Sequence, residues 1–177
     1  AMLPDVADRE IGTHFTKEKT IRFKSMIQEA DKTEEKFNLE ALSRVSKQYF
    51  TDVMEKATGK GLVLVNCMEK LTMNDPIATL KARLNAALDA GVDGITMSAG
   101  LHLSSMKLMQ ENPRFNDALF GLVVSSARAL NLFLKRTASL GRKLDYVVVE
   151  GPLAGGHLGF GEDWRNFKLE DIVKDVV

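Results

Sequence analysis

From Gly61 onward the chain alternates two textures, and this alternation constrains its fold more than any other feature. Residues 61–67 (GLVLVNC), 93–100 (DGITMSAG), 118–125 (ALFGLVVS) and 144–151 (LDYVVVEG) are short apolar runs bounded by glycine or polar residues. Runs of this length and composition read as strands, and the continuous first run, GLVLVNC, as a strand buried on both faces. Between them lie helical patterns. Asp75-Pro76 opens the first, with the aspartate as N-cap and proline at the first helical position, and Gly91 stops it. A shorter helical stretch near 103–111 ends before Asn112-Pro113. Ser125 or Ser126 starts a third helix that runs to Gly141, and a last helix covers about 168–176. Strand and helix in regular alternation, joined by short connections, imply right-handed βαβ units and a parallel sheet. An open doubly wound sheet and a (β/α)8 barrel both satisfy this pattern. In each, the loops at the carboxyl ends of the strands carry the functional site.

The first 60 residues differ from the rest. They are charged and helix-like, with apolar stripes at Phe23, Met26, Ile27 and Ala30, and at Leu39, Leu42, Val45, Tyr49, Val53 and Met54. Asn38 is the expected N-cap of the second of these helices and Gly59 its stop. The chain therefore divides into a helical part, 1–60, and an α/β part, 61–177.

Charge narrows the partners. With 24 Lys plus Arg against 24 Asp plus Glu, no basic excess exists to neutralise phosphates or anionic lipid. Neither a nucleic-acid nor a membrane partner is expected. No apolar run approaches the ~20 residues that span a bilayer. The first twenty residues contain no apolar segment of the kind that secretory signals carry. The single cysteine, Cys67, fits a reducing compartment, so the expectation is a cytoplasmic protein.

The strand ends deliver the candidate site residues. They are Asn66, Cys67, Met68 and Glu69 from the first strand, then Ser98, Ala99, Gly100 and His102 from the second. The third contributes Ser125, Ser126 and Arg128; the fourth contributes Glu150, then Ala154, Gly155, Gly156, His157 and Gly159. Glycines let a backbone approach a flat ring or a phosphate closely. A histidine inside such a loop brings the one side chain that titrates near neutrality without perturbation. By contrast, His14 reads as a surface residue and Cys67 as a buried, unreactive thiol with nothing basic beside it. His102 either lines the pocket or begins a surface helix, and Met68 and Met97 are core methionines close enough to strand ends to touch a ligand. No His/Cys/Asp/Glu set has metal-ligand spacing, and Gly-x-Ser-x-Gly is absent.

Residues 145–160 (DYVVVEGPLAGGHLGF) resemble the signature of the nitronate monooxygenase family, formerly 2-nitropropane dioxygenases, which also contains flavin-dependent enoyl-(acyl-carrier-protein) reductases. GLVVSSARAL at 121–130, LVLVNC at 62–67 and GVDGITMSAG at 91–100 resemble the neighbouring units of that family in order and spacing. The resemblance implies an FMN-dependent (β/α)8 TIM barrel. Asn66 would hydrogen-bond the flavin or its ribityl chain, Ser125 and Ser126 would face the isoalloxazine, and Glu150 with the backbone of Ala154, Gly155 and Gly156 would border it. His157 takes the place of the family's active-site histidine. The implied reaction is oxidation of an alkyl nitronate by O2 to a carbonyl compound and nitrite. The alternatives are an NAD(P)H-dependent enoyl-thioester reductase on the same scaffold and a non-catalytic truncated barrel. A homodimer is compatible with any of these. Relative to the family, only about four of eight βα units are identifiable, about 70 residues short of a ~250-residue barrel. The expectation is an incomplete chain, lacking the strands that would hold the FMN phosphate at a helix N-terminus.

Overall fold

The computed structural model describes residues 39–69, 75–155 and 159–177. The helical pattern at 17–30, His14, Asn38, Gly156 and His157 lie outside these residues. Helix α1 (Leu39–Lys56) ends three residues before Gly59. Its core-facing line is Val45, Ser46, Phe50 and Met54, turned by about one residue from the stripe expected through Tyr49 and Val53. Helix α2 (Pro76–Asp89) forms as expected: the Asp75 side chain accepts from the Ala78 N–H, with Pro76 in the first turn. Leu80, Leu84, Ala87 and Leu88 make its buried stripe, and α1 packs along it. Helix α3 is only Ser105–Met109, α4 is Ala127–Thr137, and α5 is Leu169–Val176. A 3-10 turn, Ala138–Leu140, carries α4 to Gly141, whose φ of 68° reverses the chain.

The strands β1 (Leu64–Met68), β2 (Gly94–Ser98), β3 (Leu119–Val124) and β4 (Tyr146–Val149) form one all-parallel sheet in the order β1-β2-β3-β4. Each strand is shorter than its apolar run because the flanking residues have other bonds to make. Asp93, just before β2, accepts the Val63 N–H at 2.7 Å, and its own carbonyl accepts the Leu119 N–H at 2.9 Å. Asp145, just before β4, repeats the device: its carboxylate accepts the Phe120 N–H at 2.7 Å. Burial pushes the Asp145 carboxyl up. Hydrogen bonds from Arg142 and Phe120, with the Arg142 charge, outweigh that and hold it below the usual range.

Side chains alternate across the sheet, so each strand has two faces. One face, with Cys67, Ile95, Met97, Phe120, Leu122 and Val124, joins Leu84, Met106, Met109 and Phe133 from α2, α3 and α4 in a single core cluster. The helices therefore share one side of the sheet. A doubly wound sheet has helices on both faces. The sequential strand order and one-sided helices are instead compatible with part of a TIM-barrel-like wall. Met97 belongs to this core and is fully buried, as expected of a core methionine, on the face away from the open side.

The opposite face is open along β1 and β4, which corrects the expectation that the first strand is buried on both faces, while β2 between them is buried or half-buried throughout. Leu64 and Val148 on it are 40% and 42% exposed. Register places Asn66, Thr96, Gly121 and Tyr146 on one level across all four strands. The Tyr146 ring lies flat against Gly121, where any Cβ would overlap its Cε2 and Cζ. From there the phenol reaches Thr96 Oγ1 at 2.6 Å. Gly121→Ala is expected to lift the ring, break that bond and lower stability by about 1–3 kcal/mol. Urea unfolding checks this. In a Tyr146→Ala background the same glycine substitution should cost much less, since the clash is gone.

Candidate functional site

Two clusters stand at the carboxyl ends of the strands. The first is built by β3 and β4. Ser125 Oγ donates to the Gly159 carbonyl at 3.3 Å, and Glu150 Oε2 accepts the Gly159 N–H at 3.1 Å. One glycine is thus held from both sides, and a Cβ there would overlap Ser125 Oγ and lie 2.8 Å from Ser125 Cβ. The segment leaving β4 returns to the sheet at Gly159. Ser125 and Glu150, expected to border a cofactor, hold this return point. Ser126 is the N-cap of α4 and accepts the Ala129 N–H at 3.3 Å. Ala154 donates its N–H to Gly151 O in a tight turn, and Gly155 lies in open space. The structure therefore brings Ser125, Glu150 and Gly159 together, with Ala154 and Gly155 further out on the same loop.

The second cluster is built by β1 and β2. Ser98 Oγ donates to Asn66 Oδ1 across the open face. Above it the chain takes two left-handed residues, Ala99 at φ 50° and His102 at φ 49°, a conformation that non-glycine residues rarely adopt. Between them Gly100 passes under the Glu69 side chain, where a Cβ would overlap the carboxylate. His102 neither lines a pocket nor begins a surface helix: it is fully buried. Its Nε2 is 2.7 Å from the Ser98 carbonyl and its Nδ1 2.7 Å from Ser105 Oγ. A carbonyl only accepts, so Nε2 carries the proton and Nδ1 accepts from the serine hydroxyl. Burial pushes the imidazole below its ordinary value and Arg83 adds to this. The bond to Ser98 and the Glu69 charge oppose the shift without reversing it.

Arg83 corrects one expectation. A basic group does lie close to Cys67, but burial of the thiol outweighs it and pushes the thiol up, so Cys67 stays protonated. Arg83 reaches the Met68 carbonyl through Nη2 at 3.0 Å, while its buried Nε and Nη1 have no acceptor among the described residues. Beside it, a cavity lined by Ser46, Phe50, Cys67 and Leu84 holds about 10 Å³ of water-accessible space. That is room for about one water, so this cavity is no cofactor site. Among the described residues no group of three or more His, Cys, Asp or Glu side chains converges as a metal site, and no helix is long and apolar enough to cross a membrane.

Sequence reasoning named Ser98 and His102 by position but assigned neither a hydrogen bond. It missed Thr96 and Tyr146, although strict alternation in DYVVVE puts Tyr146, Val148 and Glu150 on one face.

A buried imidazole with a lowered pKa stabilises the fold fully above the ordinary histidine value. Its contribution falls as pH drops below about 6.5, where the unfolded chain gains a proton that the fold refuses. Chemical denaturation from pH 7.5 to 5 should show wild type losing up to about 1.4 kcal/mol per pH unit more than His102→Leu. Parallel pH profiles for the two proteins would contradict this reading of His102. Searches against protein-family models and against curated proteins find no match for this chain.

Proposed function

We propose that the chain belongs to an FMN-dependent oxidoreductase of the nitronate monooxygenase type, built on a (β/α)8 barrel of which this sheet is part of the wall. The observation that carries the reading is the two-sided hold on Gly159. The glycine closing the AGGHLG motif is fixed by Ser125 from β3 and Glu150 from β4, at the carboxyl ends of adjacent strands. Barrel enzymes assemble their sites at that end.

The described residues fit a flat, acceptor-bearing ring. Val123 and Val148 give an apolar level below the strand ends, and Asn66 offers a polar side chain one level lower on β1. FMN, when bound, supplies the electron chemistry. The chain's own work is to hold the ring edge through Asn66, to bring the loop back through Ser125 and Glu150, and to place His157. In this reading the His157 imidazole takes the proton from the carbon next to a nitro group, or orients a nitronate that arrives deprotonated.

The intact protein should show a flavin spectrum and release nitrite from propyl nitronate in the presence of O2. His157→Ala should lose about 10²–10⁴-fold in turnover of neutral nitroalkane and far less with nitronate. Equal losses would make His157 a binding residue. NAD(P)H oxidation with crotonyl thioester in place of nitrite release would move the assignment to the enoyl-thioester reductases. A colourless protein that takes up no FMN would refute both.

A further inference from the structure

The geometry points to Ser98 as a positioning residue that fixes the Asn66 amide with its NH2 group toward the open face, so that the ligand atom recognised there is a hydrogen-bond acceptor, a carbonyl oxygen or a pyridine-type nitrogen. Asn66 and Ser98 lie on adjacent strands, one level apart: Asn66 pairs with Thr96, and Ser98 pairs with Met68. A primary amide has an accepting end and a donating end. The Ser98 hydroxyl donates to Oδ1 and occupies the accepting end. No described residue accepts from Nδ2, and Asn66 is exposed, so both amide protons remain for a ligand.

Ser98 itself has little freedom. It is 8% exposed, and its carbonyl accepts from His102 Nε2 at 2.7 Å and from the Glu69 N–H at 3.1 Å. His102 is anchored in turn by Ser105 at 2.7 Å. A buried chain of bonds, Ser105 to His102 to the Ser98 carbonyl, thus anchors the backbone of the residue whose hydroxyl sets which end of Asn66 a ligand meets. A freely rotating amide would present either end and discriminate poorly between a donor and an acceptor. A held amide selects.

That Asn66 meets a ligand rests on the reading given under Proposed function; the orientation of its amide does not. The test separates the two. FMN titration, followed by quenching of flavin fluorescence, should show Ser98→Ala weakening binding about 3- to 10-fold, one neutral hydrogen bond's worth of ordering. Ser98→Thr keeps the hydroxyl and should restore wild-type affinity. Asn66→Asp keeps the acceptor facing Ser98 but replaces the donor, and should weaken FMN binding more than tenfold. Wild-type affinity in Asn66→Asp would overturn the inference, because the ligand would then be meeting an oxygen. Unchanged affinity in Ser98→Ala would overturn it too. The 13Cγ resonance of Asn66 supplies a readout free of flavin. It should move in Ser98→Ala and hold its position in Ser98→Thr, and an unmoved resonance in Ser98→Ala overturns the orientation whether or not FMN binds.

Discussion

Everything at the candidate site depends on one face of the sheet being buried under helices. Ile95, Met97, Phe120 and Leu122 are at most 2% exposed, and they sit at alternate positions of β2 and β3. Because the side-chain period of a strand is two, a register slip by one residue would turn each of these into solvent and bring Thr96, Gly121 and Val123 into the core. Such a slip would expose several fully buried apolar side chains, each worth about 1.5–3 kcal/mol. The register is therefore fixed by the core, and the core fixes what the other face displays. Asn66, Thr96, Tyr146 and Ser98 reach the open side as a consequence of where the apolar residues must go.

That dependence explains which parts of the structure were legible in the sequence. The four strands, the proline-capped α2 and the Ser126-capped α4 were readable because local signals define them: apolar runs, Asp-Pro, and a serine before an amphipathic repeat. What was not readable was the environment of each face. GLVLVNC carries no alternation, so it read as a strand covered on both sides, yet β1 buries only Cys67 fully and leaves Leu64 and Asn66 exposed. The Leu64–Asn66–Met68 face carries two apolar residues for one polar. A face of that kind is indistinguishable by composition from a core face, and only the position of the helices tells them apart.

The site residues divide in the same way. Position at a strand end was legible for Ser98, Ser125 and Glu150, because strand ends follow from strand boundaries; Asn66, expected at a strand end, stands in the middle of β1 opposite Thr96. Partnership was not. Glu150 meets Gly159 nine residues on, and Ser125 meets the same glycine across 34 residues. Both contacts require β3 and β4 to be neighbours in register, which is tertiary information. His102 was misread for a related reason. A polar residue two positions past Gly100 looks exposed, but the left-handed turns at Ala99 and His102 swing its ring back beneath the end of β2.

The burial of His102 also clarifies Arg83. A guanidinium with one bond among the described residues, to the Met68 carbonyl, and a buried Nε and Nη1 without an acceptor among them is a poor stabilising element, since desolvating a charge costs more than a single hydrogen bond returns. Its effect is felt in its neighbours. The positive charge lowers the imidazole pKa in the same direction as burial does, so both keep His102 neutral. Neutrality with the proton on Nε2 is the form that pairs with a carbonyl on one side and accepts from a hydroxyl on the other. An imidazolium would set two donors against Ser98 and Ser105 and force the Ser105 hydroxyl to turn away. Arg83 thus works with burial to maintain the protonation state in which Nδ1 accepts from the Ser105 hydroxyl while Nε2 donates to the Ser98 carbonyl.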